Sequence, residues 1–213
     1  MEFYGNSITC GYSVEDTSDK DSPASQYENH YLSYAALTAR HFNANYNCIA
    51  KSGIGILISW FPYVMPDVYD RLDPNDPKSK WDFSKFSPEI VVINLFQNDS
   101  WLTKRPEHVE FKRLFGTIPP TEDKIVSSYL SFLKSIREKY PKAKIICALG
   151  NMDATKEGSP WPGYISKAVS QLDDQAVYTY FFPYKNTAGH PKINEQKVMS
   201  NQLIQFIEEK FKW

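Results

Sequence analysis

Four residues far apart in the chain carry the types that acyl transfer needs: Ser7, Gly53, Asn98 and His190. Ser7 supplies a hydroxyl nucleophile. His190 is a fitting general base, because an imidazole near neutrality can take the hydroxyl proton and hand it to a leaving alcohol. The backbone N–H groups of Ser7 and Gly53, with the side-chain amide of Asn98, are the types that cradle a developing oxyanion. One such donor is typically worth about 3 kcal/mol of transition-state stabilisation. Each residue alone has a plainer reading. Ser7 reads as a helix N-cap, Gly53 as a turn, Asn98 as a loop former and His190 as a cap before Pro191. Four plain readings holding together, in this order along the chain, make the poorer account.

The elements that position them follow from the pattern. Glu2-Phe3-Tyr4 reads as a short strand running into Gly5-Asn6-Ser7-Ile8-Thr9-Cys10-Gly11, so Ser7 stands at a strand-to-helix bend. Position 9 is Thr, so the Gly-x-Ser-x-Gly elbow is absent. A polar, loop-like stretch spans Asp16 to Ser25, and a helix is expected from Glu28 to Phe42. Tyr46 to Ala50 is a second strand, followed by the Lys51-Ser52-Gly53-Ile54-Gly55 loop. Glu89 to Leu95 is a continuous apolar strand, as in a sheet covered on both faces; Phe96 to Trp101 leaves its end. Short helices are expected within Phe61–Leu72 and near Glu107–Leu114. A strong amphipathic helix follows Thr121, with Ile125, Tyr129, Phe132, Leu133 and Ile136 on one stripe. Lys144 to Leu149 and Ala176 to Phe182 complete the strands, with helices over Pro160–Gln171 and after Pro191.

Strands alternating with helices predict a three-layer α/β/α flavodoxin-like sandwich on a five-stranded parallel sheet, order 2-1-3-4-5. Such sheets bind ligands beyond the carboxyl ends of their strands. Ser7, Gly53, Asn98 and His190 all fall at those ends.

These residues resemble the four blocks of the SGNH hydrolases, also called GDSL-like esterases, and the resemblance spans nearly the whole chain. Gly-Asn-Ser-Ile-Thr-Cys-Gly-Tyr at 5–12 and Ser-Gly-Ile-Gly at 52–55 are most similar to the catalytic domains of carbohydrate esterase family two. The resemblance implies a serine esterase that removes acetyl groups from plant polysaccharides through an acyl-enzyme, with no metal or organic cofactor. It also implies a single SGNH domain over 1–213 that follows a β-sandwich domain in a longer, secreted or periplasmic protein. The first strand, at three residues, is short for an ordinary start.

Three positions depart from the family pattern. Asn6 replaces the usual Asp before the nucleophile. Phe96 replaces the usual Gly of the third block and is expected to shape the pocket wall. Thr187 stands where an Asp usually precedes the histidine by three. The family-two resemblance then implies a Ser–His dyad, with a main-chain carbonyl near Thr187 or Ala188 fixing the imidazole tautomer. The loop aromatics Trp60, Trp101 and Trp161 are expected to form a sugar platform, although Trp60 reads equally as core; Trp101, Trp161 and the wall residue Phe96 are the expected substrate contacts. Asp99 reads as a loop stabiliser. His30, His41 and His108 lack a comparable context and read as structural.

The formal charge of −1 with scattered lysines gives no nucleic-acid or anionic-membrane footprint, and no span or signal peptide is visible. Cys10, Cys48 and Cys147 form no metal or redox spacing; Cys48 and Cys147 read as buried free thiols. The 14 Tyr, 13 Phe and 5 Trp suit both a core and a sugar-stacking surface. Two other readings stay open: a general SGNH lipase or acyl-esterase, and a non-catalytic carbohydrate-binding domain, the latter motivated by the missing Asp. An exposed apolar groove would mark the first, and sugar binding without ester turnover the second.

Overall fold

A computed structural model describes residues 1–18 and 20–212. Five strands, β1 (Glu2–Gly5), β2 (Asn47–Ala50), β3 (Ile90–Asn94), β4 (Lys144–Leu149) and β5 (Val177–Phe181), form one sheet in the order β2-β1-β3-β4-β5. Every pairing is parallel, with Gly5 level with Ala50 on one side and Asn94 on the other. The predicted sheet and its order are therefore observed.

The helices are α1 (Ser7–Cys10), α2 (Tyr34–His41), α3 (Met65–Val68), α4 (Gln97–Leu102), α5 (Val109–Phe115), α6 (Glu122–Lys139), α7 (Trp161–Leu172) and α8 (Ile193–Phe211). Alternate strand residues point to opposite faces. Tyr4, Val91, Ile93, Ile145 and Cys147 pack with α6 and α7, through Phe132, Leu133, Ile136 and Ile165. Phe3, Ile90, Val92, Ile146 and Ala148 pack with α2 and α8, through Ala35, Ala39, Met199 and Leu203. Two cores on two faces are why β3 is fully buried and reads as an unbroken apolar run.

Two stretches differ from expectation. The helix expected over Glu28–Phe42 is divided, because Asn29 caps a tight turn at His30–Leu32 and Ser33 caps α2 separately. The residues that leave the end of β3, for which no element was expected, form α4. Of the two cysteines expected to be buried, Cys147 is buried and Cys48 only partly so; all three thiols are free. No helix among the described residues is long and apolar enough to cross a membrane.

Candidate active site

Ser7 is placed by the way β1 ends. Gly5 closes the strand directly beneath α1: a Cβ there would lie 2.0 Å from Thr9 Oγ1, so only glycine fits. Asn6, not Ser7, is the N-cap; its Oδ1 accepts the Ile8 N–H at 3.1 Å. Ser7 is thus the first helical residue, and its hydroxyl is free for other work. Its N–H lies in the first turn, where no intrahelical acceptor exists. Gly11, at φ 76°, ends the helix after one turn.

The Ser7 hydroxyl meets His190 Nε2 at 2.8 Å. The other imidazole nitrogen, Nδ1, lies 2.6 Å from Asp21 Oδ2. A carboxylate accepts only, so Nδ1 carries the proton and Nε2 is the acceptor that faces Ser7. Asp21 also accepts the His190 backbone N–H, at 2.8 Å and 3.0 Å to its two oxygens. Lys192 Nζ stands 3.3 Å from Asp21 Oδ1 and donates to the Ser13 carbonyl at 3.1 Å. Partial burial pushes the Asp21 carboxyl up, but its hydrogen bonds from His190 and the Lys192 ammonium beside it outweigh this and hold it well below the usual carboxylate range.

The expected dyad is therefore overturned. The acid is present, contributed by the polar loop between α1 and α2 rather than by the loop ahead of the histidine. Thr187 faces away from His190: its Oγ1 accepts from Lys185 Nζ at 2.6 Å and donates to Glu195. The carbonyls of Thr187 and Ala188 are likewise taken by Lys185 Nζ, at 3.0 Å each. The sequence signal for Asp21 was slight: an acidic loop close behind the nucleophile, with nothing to say where it folds.

Gly53 and Asn98 share the site. Gly53 has φ 85°, a left-handed conformation that suits glycine, and its N–H meets no acceptor among the described residues. Asn98 Nδ2 donates to the Ile54 carbonyl at 2.8 Å, and its Oδ1 accepts from Trp60 Nε1 at 3.0 Å. That leaves one amide N–H unused. Asp99, fully buried, accepts from the backbone N–H groups of Ile56, Leu57 and Ile58 at 2.7–3.2 Å. It holds the loop after Gly53 in place, the structural role expected of it, and is too enclosed to serve as a base.

One cleft of about 320 Å3 is lined by Ser7, Tyr12, Asp21, Gly53, Asn98 and His190, with Trp60 and Trp101 at its walls. Tyr12 lies edge-on to the imidazole, ring centres 4.8 Å apart. Trp101 is partly exposed and anchored, its indole N–H donating to both oxygens of Asp153 at 2.8 Å.

The other two aromatic expectations fail. Phe96 and Trp161 are buried, at 0% and 3% exposure, with their rings 5.0 Å apart. Phe96 has φ 87°, which turns its side chain down against Tyr129 under α6 instead of up into the cleft. Trp161 opens α7, so its ring enters the core beneath the helix. Neither is placed to touch a substrate. Among the described residues no cluster of three His, Cys, Asp or Glu side chains is placed to hold a metal ion.

A hydroxyl, an imidazole and a carboxylate in series, beside unused N–H donors, define the class of serine ester hydrolases built on a parallel sheet. Residues 3–193 match the model of the GDSL-like Lipase/Acylhydrolase family, and the chain belongs to that family. It is similar to the "Cellulase/esterase CelE" of Acetivibrio thermocellus, 34% identical over 224 residues, covering 100% of this chain and 26% of that protein. A solved family two carbohydrate esterase from Clostridium thermocellum, in complex with cellohexaose, is 34% identical with a TM-score of 0.83, covering 100% of this chain and 64% of that one. An "Acetylxylan esterase / glucomannan deacetylase" of Cellvibrio japonicus is 24% identical, covering 99% of this chain and 59% of that protein. The chain spans less than two thirds of each of these relatives.

Proposed function

We propose that this chain is a carbohydrate acetyl esterase. The observation that carries the reading is the unbroken series Ser7 Oγ, His190 and Asp21, with contacts of 2.8 Å and 2.6 Å. Ser7 Oγ attacks the ester carbonyl carbon while His190 Nε2 takes its proton. Asp21 holds the imidazole in the required tautomer and faces the imidazolium that forms. The carbonyl oxygen, now anionic, is received by the N–H groups of Ser7 and Gly53 and the spare N–H of Asn98. Collapse of the tetrahedral species breaks the C–O bond to the sugar, and His190 returns the proton to the departing alkoxide. Water then repeats the sequence on the acetyl-Ser7 ester, releasing acetate and restoring the hydroxyl.

The sugar preference draws support from the small cleft walled by Trp60 and Trp101, and from the relatives' names and the cellohexaose complex. None of the residues lining the cleft is aliphatic, which suits a sugar better than a fatty acyl chain. The motive for a non-catalytic reading was the missing acid, and Asp21 removes it. A polymeric substrate sets the site of action outside the cytoplasm.

The test compares 4-nitrophenyl acetate, acetylated xylan and glucomannan, and 4-nitrophenyl palmitate. Acetate release from polysaccharide, absent in Ser7→Ala of unchanged fold, is expected. Faster turnover of the palmitate ester, or oligosaccharide binding with no turnover at all, would overturn the proposal.

A further inference from the structure

Trp60 occupies a position that neither a sugar platform nor a core residue needs. The residue is 39% exposed, so it is no core residue. Yet its indole N–H is turned inward and given to Asn98 Oδ1 at 3.0 Å, which a platform would not require. Its backbone N–H donates to the Gly53 carbonyl at 3.1 Å. Its Cδ1 and Cβ pack against Gly53 so closely that a Cβ on that glycine would meet them at 3.3 Å and 3.4 Å. One residue thus touches both of the donors that arrive from strand ends other than that of Ser7.

We propose that Trp60 is the positioning residue of the oxyanion hole: it ties Gly53 to Asn98 and fixes which face of the Asn98 amide looks into the cleft. The inference rests on the acyl-transfer reading above. An asparagine amide has nearly the same shape in either orientation, so only its partners choose between N–H2 and O. Here Trp60 offers a donor to one side and the Ile54 carbonyl an acceptor, at 2.8 Å, to the other. In the flipped orientation the Asn98 N–H2 would face the indole N–H, and Oδ1 would face the Ile54 carbonyl. Both contacts become repulsive, so the observed orientation, with a spare N–H for the oxyanion, is selected twice.

Trp60 is itself held from outside. Arg105 lies over its ring, 5.1 Å from the centroid, and His108 meets it edge-on at 5.2 Å. The Arg105–His108 segment therefore braces the oxyanion hole through one indole, without reaching the substrate carbonyl.

The test is a cycle of Trp60→Phe, Asn98→Ala and the double variant on 4-nitrophenyl acetate. Trp60→Phe keeps an aromatic ring and the Cβ beside Gly53 and removes the indole N–H. It is expected to lower kcat about tenfold with KM unchanged, the loss of one hydrogen bond of ordinary strength. Asn98→Ala is expected to lower kcat about a hundredfold, and the double variant no further. Full kcat in Trp60→Phe, or losses that multiply in the double variant, would overturn the proposal. A nuclear magnetic resonance arm is independent of turnover. The Trp60 indole N–H, identified by its loss in Trp60→Phe, should exchange slowly with water and shift on Asn98→Ala. Rapid exchange or no shift would also overturn it. A wild-type protein without esterase turnover would sink the proposed function, while the resonance still decides the brace.

Discussion

Asp21 and His190, 169 positions apart in sequence, meet twice: the carboxylate takes both the ring Nδ1–H and the backbone N–H of the histidine. The loop behind the nucleophile is thereby bonded to the loop carrying the base, and all three reacting groups are set by two short segments. Asp21→Asn should lower kcat by roughly a thousandfold or more, because an amide can present N–H to Nδ1 and stabilise the wrong tautomer. KM should change little. Adding Thr187→Asp should not rescue it, since that position faces Lys185 and Glu195. Steady-state kinetics on 4-nitrophenyl acetate would decide this, and recovery in the double variant would restore the family's usual acid position.

Gly189 makes that meeting possible. Its φ is 68°, and a Cβ there would lie 2.6 Å from Asp21 Oδ1. Gly158 has a similar φ of 80° but open space around it. Alanine at either site bears a left-handed strain of about 1–2 kcal/mol. Gly189→Ala should also push Asp21 off the histidine and cost roughly a hundredfold in kcat. Gly158→Ala should lose stability alone. Equal activity in the two variants would mean that the Asp21 contact does not matter to turnover.

The architecture was legible in the sequence because it rests on local patterns. The apolar run of β3 and the 3.6-residue stripe of α6 each need only their own segment to be read. Ser7, Gly53, Asn98 and His190 were legible as strand-end residues. Asp21 was not, because no local pattern records which loop folds over which, and the eye goes to Thr187, three before the histidine. Trp161 misled for a different reason. Pro-Trp-Pro-Gly has loop-type residues but also opens the helix expected over Pro160–Gln171; prolines are at home in the first turn of a helix, so Trp161 belongs to α7 and its ring goes to the core rather than to the cleft. Phe96 takes the left-handed conformation that a glycine takes easily. Its ring, buried against Tyr129 and Trp161, offsets that strain by packing.

Asp99 gives a pH signature for stability. Burial, outweighing three backbone N–H donors, pushes its carboxyl up from 3.8 to about 6. The folded state then holds a proton that the unfolded state has lost between those values. Stability from this group is full below about pH 4, declines as pH rises toward about 6, and is level above that. Asp99→Asn removes the titration, so the slope of its melting temperature against pH over that window should be shallower than in the wild type. Parallel slopes from pH 4 to 6 would show that Asp99 is ionised throughout. The variant should be less stable overall, since one asparagine oxygen replaces two carboxylate oxygens under the 56–58 turn.

Trp101 and Asp153 separate binding from chemistry. The indole N–H is shared between both Asp153 oxygens, and Gln97 Nε2 adds a 2.8 Å bond to the same carboxylate. The ring is therefore held at the cleft wall by groups that never reach the reacting carbonyl. Asp153→Ala should leave the ring free to turn away from an incoming sugar. KM for an acetylated oligosaccharide should rise several-fold while kcat and KM on 4-nitrophenyl acetate stay near wild type, because the small ester uses no platform. Trp101→Ala should reproduce the effect, and combining the two should add little, since both remove the same oriented ring. If Asp153→Ala instead lowered kcat on the small ester, the pair would be supporting α4 and Asn98 rather than the sugar, and the platform role of Trp101 would be lost.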